Sequence, residues 1–487
     1  MNTLRIGIFI LLQTLVSAVL YAQIGNQWTT QISTEGTLLS GALVAANSND
    51  AGFYYNPASM ASNNEKSFSF NTSLFRTYFL NFKNPFGDDT QLKYSYGNFD
   101  PFFLSFLLPK KNRLNVKMGI SLMGKSNTIY RVADRVFHAN FSFPETPQYV
   151  GSYEGIYNYR LNSSEYWVNF GLSKKINEHF SIGATAILAF RNLEYENISD
   201  VNYASRDQNN IKFTSSYQNI FKSKMYNYKL LFKLGLIYNL NETSRIGVNF
   251  TSGSINVYGR GSNQRTLSQS NINKLMNDSI DATYEDKLVS DFSDGLKANF
   301  KNPLSVSIGY NYEKDKTRFG ITLEYFNKIA RYSVIEGIDN GELINTSSIP
   351  FKESEVLSLN YAQKSIFNAA IGYETDIGES FTLAMGLRTN FNASIDNENV
   401  DEINSLQDIT IDYYHLTAGS TFTLLKNKFI FGVDIGFSYS ADQSYIINYA
   451  NPLIINNENI PLIGDNFKRA KIFNTMVGFV LGYSLNF

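Results

Sequence analysis

Side chains that could support catalysis are few in this sequence. The chain has three histidines and no cysteine, so it offers no thiol nucleophile, no disulfide and no thiolate ligand for a metal. His138 falls in a predicted loop, His179 in a short turn, and His415 on a strand with no nucleophile motif nearby. No HExxH pair, phosphate-binding loop or calcium-loop spacing is present. The sequence therefore predicts no enzymatic activity, no metal site and no cofactor, and each histidine is expected to be structural or solvated.

The composition is that of a β-protein rich in tyrosine and phenylalanine. Aromatic residues make up 15% of the chain and charged residues only 17%, below the roughly 25% that is usual in soluble domains. Lysine and arginine number 42 against 43 acidic residues. This balance gives no basic field, so we expect no nucleic-acid partner.

The start of the chain has the pattern of an export signal. Residues 1–22 are predicted to be a signal peptide, with Arg5 before an apolar core at 6–16 and cleavage after Ala22, or alternatively after Ala18. No later stretch approaches the roughly 18 uninterrupted apolar residues of a membrane helix. An exported chain of this kind is periplasmic, secreted or an outer-membrane barrel, and the strand pattern must decide.

The last stretch, 471–487, alternates strictly. Odd positions from Phe473 to Phe487 are mostly apolar or aromatic, whereas even positions such as Asn474 and Gly478 are mostly small or polar. Side chains alternate across a strand, so one face is apolar and the other is not. The stretch exceeds the roughly 9–11 residues that a tilted strand needs to cross a bilayer. Alone, it would also fit an amphipathic strand of a soluble sandwich.

The same alternation recurs from residue 66 onward, which favours a membrane barrel over a soluble sandwich. We predict fourteen strands, at 66–80, 99–108, 113–125, 156–173, 180–196, 224–240, 245–258, 303–313, 317–330, 356–375, 381–395, 409–424, 428–441 and 470–487. Short turns alternate with long polar loops, which are predicted at 81–98, 126–155, 197–223, 259–302, 331–355, 396–408 and 442–469.

Charge placement supports a barrel in lipid. Lysines inside the alternating runs, such as Lys117 and Lys233, fall on the polar phase, as expected because a lysine facing lipid at mid-bilayer costs about 2–4 kcal/mol. An even strand number with short turns at one end and long loops at the other is typical of outer-membrane barrels. The sequence therefore predicts an all-β fold, a transmembrane antiparallel β-barrel spanning 66–487.

Three stretches fit this pattern less well. The apolar phase breaks at 363–365, which indicates a bulge or a strand above the bilayer. The phase also changes near Leu74. The long loop 259–302 is expected to fold over the mouth of the barrel or to carry short helices.

Residues 23–65 precede the first strand and do not alternate. The segment is small, apolar and glycine-bearing, and it starts at the short-turn end of the barrel. Its composition is too apolar for a disordered periplasmic tail. We therefore predict that 23–65 forms a plug inside the barrel.

A motif within this segment resembles a known family. Its residues are Gly36, Gly41-Ala42, Ala45-Ala46, Asp50-Ala51 and Tyr55-Asn56-Pro57-Ala58, followed by Met60-Ala61. The run is similar to the N-terminal hatch of the FadL family, outer-membrane transporters of long-chain fatty acids and other hydrophobic molecules. Ser59 departs from the glycine that is usual after Asn-Pro-Ala, which puts the detailed turn in doubt.

The resemblance implies a monomeric barrel blocked by its hatch. Ligand would be captured among the loops and released by a shift of the hatch, in some members sideways through a gap in the wall. The residues that this assigns to the hatch and its gating are Gly41, Asp50, Asn56, Pro57 and Ala58. Pro57 fixes its own φ and pushes Asn56 toward extended geometry, so both would stiffen the tip of the hatch.

The favoured function is passive uptake of hydrophobic small molecules, such as long-chain fatty acids, across the outer membrane of a Gram-negative bacterium. The expected partners are that ligand and outer-membrane lipid. Two alternatives stay open: a FadL-like barrel that holds cargo for type IX secretion, and a general porin, which the apolar plug disfavours. Five cations on or near polar phases could face a ligand carboxylate, although ordinary lumen charges are the better interpretation: Lys117, Arg191, Lys229, Lys233 and Arg388. The ligand-binding residues stay unassigned.

Overall fold

The chain folds as a closed antiparallel barrel of fourteen strands with the N-terminal segment in its lumen. The computed structural model describes residues 24–29, 31–47, 50–62, 66–98, 102–109, 115–207, 210–275, 285–348, 350–395, 405–406, 411–424, 427–443, 446–454, 462–465 and 470–486. The predicted signal peptide lies outside the described residues. Within them, no helix is both long and apolar enough to cross a membrane.

Residues 24–62, called the hatch below, contain only short elements in their described part. These are helix α1 (Thr34–Leu38) and two 3-10 turns, Ala51–Phe53 and Pro57–Ser62. The Ser33 side chain caps α1 by accepting a hydrogen bond from the Gly36 amide. Such short turns keep the segment compact enough to fit inside a barrel.

Seven strands form the first half of the wall. They are β1 (Ser67–Lys83), β2 (Gln91–Asn98), β3 (Phe103–Leu107), β4 (Lys117–Phe141), β5 (Val150–Lys175), β6 (Phe180–Asp207) and β7 (Asn210–Asn239). β2 and β3 pair with different halves of β1 and together occupy one position in the barrel.

The rest of the described chain contains thirteen further strands and two short helices. The strands are β8 (Ser244–Thr251), β9 (Ile255–Ser270), β10 (Lys287–Lys297), β11 (Ser305–Lys314), β12 (Thr317–Phe326), β13 (Ile329–Ile335), β14 (Ile344–Asn345), β15 (Leu359–Gln363), β16 (Ile366–Asp376), β17 (Phe381–Asn390), β18 (Tyr413–Leu424), β19 (Asn427–Gln443) and β20 (Ala470–Asn486). The helices are α2 (Ile272–Leu275) and α3 (Glu353–Val356).

The barrel closes where the chain ends. β20 pairs with β1 from Ser67↔Asn486 to Lys83↔Lys471, so the C-terminal strand completes the ring. β8 and β9 share one barrel position, and β10 and β11 share the next. With β2 and β3 also sharing one position, the predicted number of fourteen barrel strands is confirmed.

Side-chain burial confirms the predicted phase of the wall. Phe232 and Leu234 are 44% and 57% exposed on the outer surface, whereas Lys233 between them is 4% exposed. On β20, Phe473 and Phe479 point outward and Asn474 points inward. An outer surface covered with exposed apolar side chains is the surface that lipid requires.

Toward the loop end, this phase reverses within single strands. On β5 the inward residues change from polar ones such as Ser163 to Leu161, Tyr159 and Tyr157, all buried. The outer face of the same region is charged, with ion pairs between neighbouring strands such as Lys222–Glu196 at 3.0 Å. The wall here is charged on the outside and apolar on the inside, so the alternation is inverted relative to the band below it.

Most of the loops predicted at 126–155 and 197–223 are therefore wrong, because β4 to β7 continue through them. The sequence pattern for lipid-facing strands ends where the apolar phase changes sides, although the strands do not. Much of 259–302 is likewise strand, in β9 and β10, and it also carries the short helix α2. Strand β2 lies within the loop predicted at 81–98.

The two smaller irregularities are confirmed. The break at 363–365 separates β15 from β16, and β15 pairs with β13 in a separate two-stranded sheet. The phase change near Leu74 is a register shift between Ser73 and Phe75 in the pairing of β1 with β20.

Candidate functional site

Glycines line the inside of the barrel where it meets the hatch. We call them the glycine belt: Gly119, Gly171, Gly183, Gly235, Gly247, Gly309, Gly320, Gly372, Gly386, Gly419 and Gly432. Many are direct partners across the sheet, among them Gly119↔Gly171, Gly183↔Gly235, Gly247↔Gly309 and Gly419↔Gly432. The missing side chains widen the lumen at this level.

The hatch fills that space by contacting glycines around the circumference of the lumen. Leu38 lies over Gly419 and Gly432, and Leu39 lies over Gly372 and Gly386. A Cβ atom on Gly309 would lie 2.9 Å from the Val44 Cβ. Each glycine therefore gives up a side chain so that the hatch backbone and its small side chains can approach the wall.

The C-terminal half of the hatch contacts further glycines of the belt. Pro57 lies against Gly183, and Asn56 against Gly235. A Cβ atom on Gly119 or on Gly171 would lie 2.8 Å from the ring of Phe53. The described part of the hatch is almost entirely buried, so it blocks the lumen at this level.

Asn56 joins the hatch to itself and to the wall. Its side-chain amide donates to the Val44 carbonyl at 2.8 Å and to the carbonyls of Leu236 and Val248 at 3.1 and 3.4 Å. Its side-chain oxygen accepts from the Ala58 amide at 3.0 Å. Only a carboxamide supplies this combination of donors and acceptor, so the residue type follows from its position.

The remaining predicted hatch residues shape the backbone. Gly41 has φ +89°, a left-handed conformation that favours glycine. Asp50 caps the first 3-10 turn by accepting from the Ala51 amide at 3.1 Å. Pro57 begins the second 3-10 turn, where its lack of an amide proton costs nothing. Ala58 accepts at its carbonyl from Ser173 of β5 at 3.2 Å.

Cations of the wall hold the carbonyl groups of the hatch. Arg76 donates to the Thr29 carbonyl at 2.9 Å, and Lys233 donates to the Tyr54 carbonyl at 2.5 Å. Lys125 donates to the Gln27 carbonyl at 2.7 Å. These bonds involve a charged donor in a buried site, and each is worth more than a neutral one. The wall thus fixes the hatch by polar contacts as well as by packing.

The predicted inward cations are indeed buried, and they are spread over separate clusters. Arg388 and His415 share the Asp434 carboxylate, at 2.8 and 3.0 Å. Arg191 and Lys229 share the Glu165 carboxylate, at 2.6 and 2.8 Å. Each of these buried cations thus has a carboxylate partner inside the wall, as a buried charge requires. Lys117 is also fully buried.

The histidines lie far apart. His138 contacts the Tyr449 carbonyl at 3.3 Å, and His179 contacts the Asn239 carbonyl at 3.1 Å in a turn. His415 belongs to the Asp434 cluster. Within the described residues, no group of three or more histidine, aspartate or glutamate side chains could hold a metal ion.

A small chamber lies beside the hatch. Its lining includes Tyr54, Lys125, Lys233 and Glu324, and its volume is about 30 Å³. Such a space has room for a water molecule and not for an organic ligand. A solute therefore needs a rearrangement of the hatch to pass this level.

Above the hatch, the extended parts of β4 to β7 and β9 enclose an aromatic interior that we call the cup. Its buried rings come mainly from tyrosine: Tyr130, Tyr153, Tyr157, Tyr159, Tyr195, Tyr203, Tyr217 and Phe221. Burial raises the pKa of Tyr203 and of Tyr217 to about 12. These phenols are therefore neutral at physiological pH, and they give the cup an apolar interior with scattered hydrogen-bond groups.

Two neighbouring strands of the wall are not paired beside the hatch in the described residues. β3 pairs with β4 only from Phe103 to Leu107, and no ladder joins β2 to β4 in the described part of the chain. Lys125 lies on β4 just beyond the last pair and reaches the hatch at Gln27. Among the described residues, β2 and β4 are thus unpaired with each other next to the contact of Lys125 with the hatch.

Sequence reasoning located the hatch and missed both the belt and the cup. The belt had a signal, since glycine recurs on the inward phase of successive strands, as at Gly119 and Gly235. The cup had one as well, since Tyr153, Tyr157 and Tyr159 share one phase of their strand. Both signals lie in positions that a search for lipid-facing residues passes over.

The architecture is shared with solved structures. A FadL homologue from Pseudomonas aeruginosa aligns over 94% of this chain and 99% of its own, with a TM-score of 0.58 and 12% identity. The chain has the FadL-type fold. Two further FadL-type barrels are similar: the toluene transporter TodX of Pseudomonas putida, over 97% of this chain and 100% of its own (TM-score 0.52, 11% identity), and the toluene transporter TbuX of Ralstonia pickettii, over 94% and 98% (TM-score 0.51, 12% identity).

The FadL-type likeness is one of structure. No family model and no curated protein matches the sequence. The alignments extend over nearly the whole chain.

Proposed function

We propose that this chain is an outer-membrane channel for the passive uptake of hydrophobic small molecules, without catalysis. The observation that carries the proposal is the vertical order of parts: an aromatic cup at the loop end, and below it a hatch that fills the lumen on the glycine belt. The toluene transporters that share the fold support the same class of solute.

The cup would supply the binding energy for capture. A hydrophobic solute gains roughly 25 cal/mol for each Å² of apolar surface that leaves water. The outer face of the cup is charged and hydrated, as at Lys222–Glu196, whereas its interior is aromatic. The solute would therefore be drawn inward and not onto the outer surface.

Release would follow a shift of the hatch. Asn56 and Pro57 lie where the hatch contacts Gly235 and Gly183, and we assign them the gating role, with Gly41, Asp50 and Ala58 shaping the same segment. The place where β2 and β4 are not paired lies beside the hatch and would let an apolar solute leave sideways into lipid.

An open porin is the alternative that this geometry disfavours. A porin needs a continuous water-filled path, and the hatch leaves a chamber of about 30 Å³ at its level beside Tyr54. The polar groups there are engaged in holding the hatch, as Lys233 is with Tyr54. A polar solute would find neither room nor free partners in this region.

The proposal is tested by uptake into Gram-negative cells that lack channels of their own for hydrophobic solutes. Cells making the full chain should take up a labelled hydrocarbon or long-chain fatty acid several-fold faster than cells with an empty vector, while uptake of a small sugar should be equal in both. Faster uptake of the sugar, or equal uptake of every solute, would overturn the proposal.

A further inference from the structure

One loop residue lies inside the cup. Tyr449 belongs to the described segment 446–454 between β19 and β20, which we call the cap segment, and its side chain is fully buried. Loop residues ordinarily lie at the surface. The ring of Tyr449 instead occupies a pocket formed by other elements of the chain.

The walls of this pocket are aromatic and fit a single ring. Phe86 stacks on Tyr449 with ring centroids 6.4 Å apart and an interplanar angle of 7°, and Tyr153 meets its edge at 6.5 Å. Gly155 forms the floor, since a Cβ atom there would lie 2.7 Å from the Tyr449 ring. Stacked and edge-on contacts of this kind favour aromatic rings over aliphatic groups.

The far end of the pocket is polar. The Tyr449 hydroxyl donates to the Ile156 carbonyl at 3.2 Å and lies 2.7 Å from the Ser199 hydroxyl. Burial raises the pKa of Tyr449, so its hydroxyl keeps the proton that it donates. The pocket therefore recognises both a six-membered aromatic ring and a hydroxyl group on it.

In the described residues, the backbone of the cap segment bonds to a turn of the chain, to the side chains of His138 and Glu145, and to Gly464. The Ile446 amide donates to the Pro85 carbonyl at 2.8 Å, and the Ala450 amide donates to the Phe86 carbonyl at 2.9 Å. These bonds join a short loop to a turn and not one long strand to another. Withdrawal of the cap segment thus breaks far less structure than separation of two wall strands.

We propose that this pocket is a binding site for a hydroxylated monoaromatic molecule, which enters the cup by displacing Tyr449. The tyrosine side chain is p-cresol tethered to the backbone, so the occupant seen in the structure defines the ligand class. The inference rests on the proposed function, and it names one chemical class among hydrophobic solutes.

The test uses p-cresol with the purified full-length barrel. In the Tyr449→Gly variant, p-cresol should bind, and toluene should bind about tenfold more weakly because it lacks the hydroxyl that pairs with Ser199 and Ile156. Adding Ser199→Ala should remove most of this preference. Tyr439→Gly is the matched control, since Tyr439 is 64% exposed on the outer surface and its loss creates no pocket.

The decisive measurement is binding of p-cresol to the wild-type protein. This protein should bind p-cresol saturably, and Tyr449→Phe, which keeps the ring and loses the hydroxyl, should bind it several-fold more tightly because the tethered competitor is weaker. Binding is measured by calorimetry for every variant that is folded, which is shown by an unboiled sample that migrates differently from the boiled one on a gel. Absence of saturable p-cresol binding to both wild type and Tyr449→Phe, or equal binding of p-cresol and toluene to Tyr449→Gly, would overturn the inference. If p-cresol does not bind while cells still take up a hydrocarbon, the proposed function stands and only this inference is contradicted.

Discussion

A Cβ atom on Gly372 would lie 2.9 Å from the Cβ atom of Leu39, closer than two real Cβ atoms approach each other. At this position the wall and the hatch are therefore in close contact, and the contact depends on an absent side chain. Overpacking of a filled interior costs typically 1–3 kcal/mol. The glycine belt is thus where small changes should move the hatch and leave the barrel intact.

Adding one methyl group at the belt should open the lumen. In Gly247→Ala, the new Cβ atom would overlap the Val44 carbonyl and lie 2.8 Å from the Ala45 Cα atom. We expect the hatch to shift and ionic current through a planar bilayer to rise several-fold over wild type. On a gel, the unboiled sample should still migrate differently from the boiled one, because the strands remain paired.

Gly253→Ala is the matched control for this change. The nearest atom to a Cβ there is the Asn302 carbonyl oxygen at 3.8 Å, and the position is outside the belt. Its current should equal that of wild type. Equal currents in Gly247→Ala and Gly253→Ala would show that the belt does not position the hatch.

The position of the hatch should depend more on the polar atoms of the Asn56 side chain than on its size. Asn56→Asp is nearly isosteric but replaces the amide donor with an oxygen that faces the carbonyls of Val44 and Leu236. A buried polar group without its partner costs about 1–3 kcal/mol. We expect Asn56→Asp to release the hatch to added protease faster than Asn56→Ala does, with Pro57→Ala also loosening it. All three barrels should assemble, and slower cleavage of Asn56→Asp than of Asn56→Ala would count against the assigned contacts.

The two faces of β7 should respond oppositely to charge. Phe232→Arg or Leu234→Arg puts a cation on the lipid-facing side, at a cost of about 2–4 kcal/mol near mid-bilayer. These variants should reach the membrane fraction in reduced amount. Lys233→Glu faces the lumen and should assemble, although it removes the bond to the Tyr54 carbonyl and should raise the current. Membrane yields in the reverse order would invert the orientation of this strand.

The cup should affect uptake and not assembly. Tyr195 packs its ring edge-on against Tyr159 and Phe221, at 5.8 and 5.7 Å. Tyr195→Ala should slow hydrocarbon uptake several-fold, because the interior loses a large apolar contact. Its neighbour Glu196 points outward and pairs with Lys222, and an exposed pair is worth about 0–1 kcal/mol. Glu196→Ala should leave uptake unchanged, and an equal loss in both variants would remove the capture role from the cup.

The sequence predicts the band of the wall in lipid well, because lipid permits only one phase of alternation. Phe232, Lys233 and Leu234 show this most directly, since each lies on the predicted side. The loop-end parts of β4 to β7 were not predicted, because there the apolar side of each strand changes from the outside to the inside. On β5 this change occurs at Leu161. The seating of Leu39 against Gly372 could not be predicted, since it joins positions far apart in the chain. The position of Tyr449 depends in the same way on a long-range contact, with Gly155.

The central claim is that the hatch must move for a hydrophobic solute to pass. Ser40 of the hatch and Thr417 of β18 are both buried, with their side-chain oxygens 2.8 Å apart. A cysteine pair at these positions has side chains close enough to form a disulfide, and the chain has no other cysteine. A control pair at Ser216 and Ser270, 2.9 Å apart, would join two wall strands and leave the hatch free.

The measurement is uptake of a labelled hydrocarbon by cells carrying Ser40→Cys/Thr417→Cys, grown either without or with a thiol reductant that keeps the two cysteines reduced during assembly. We predict that the oxidised pair blocks uptake and that the reduced pair transports at the wild-type rate, whereas Ser216→Cys/Ser270→Cys transports at the wild-type rate in both states. Undiminished uptake by the oxidised Ser40–Thr417 pair, with the disulfide verified by mass spectrometry, would contradict a moving hatch.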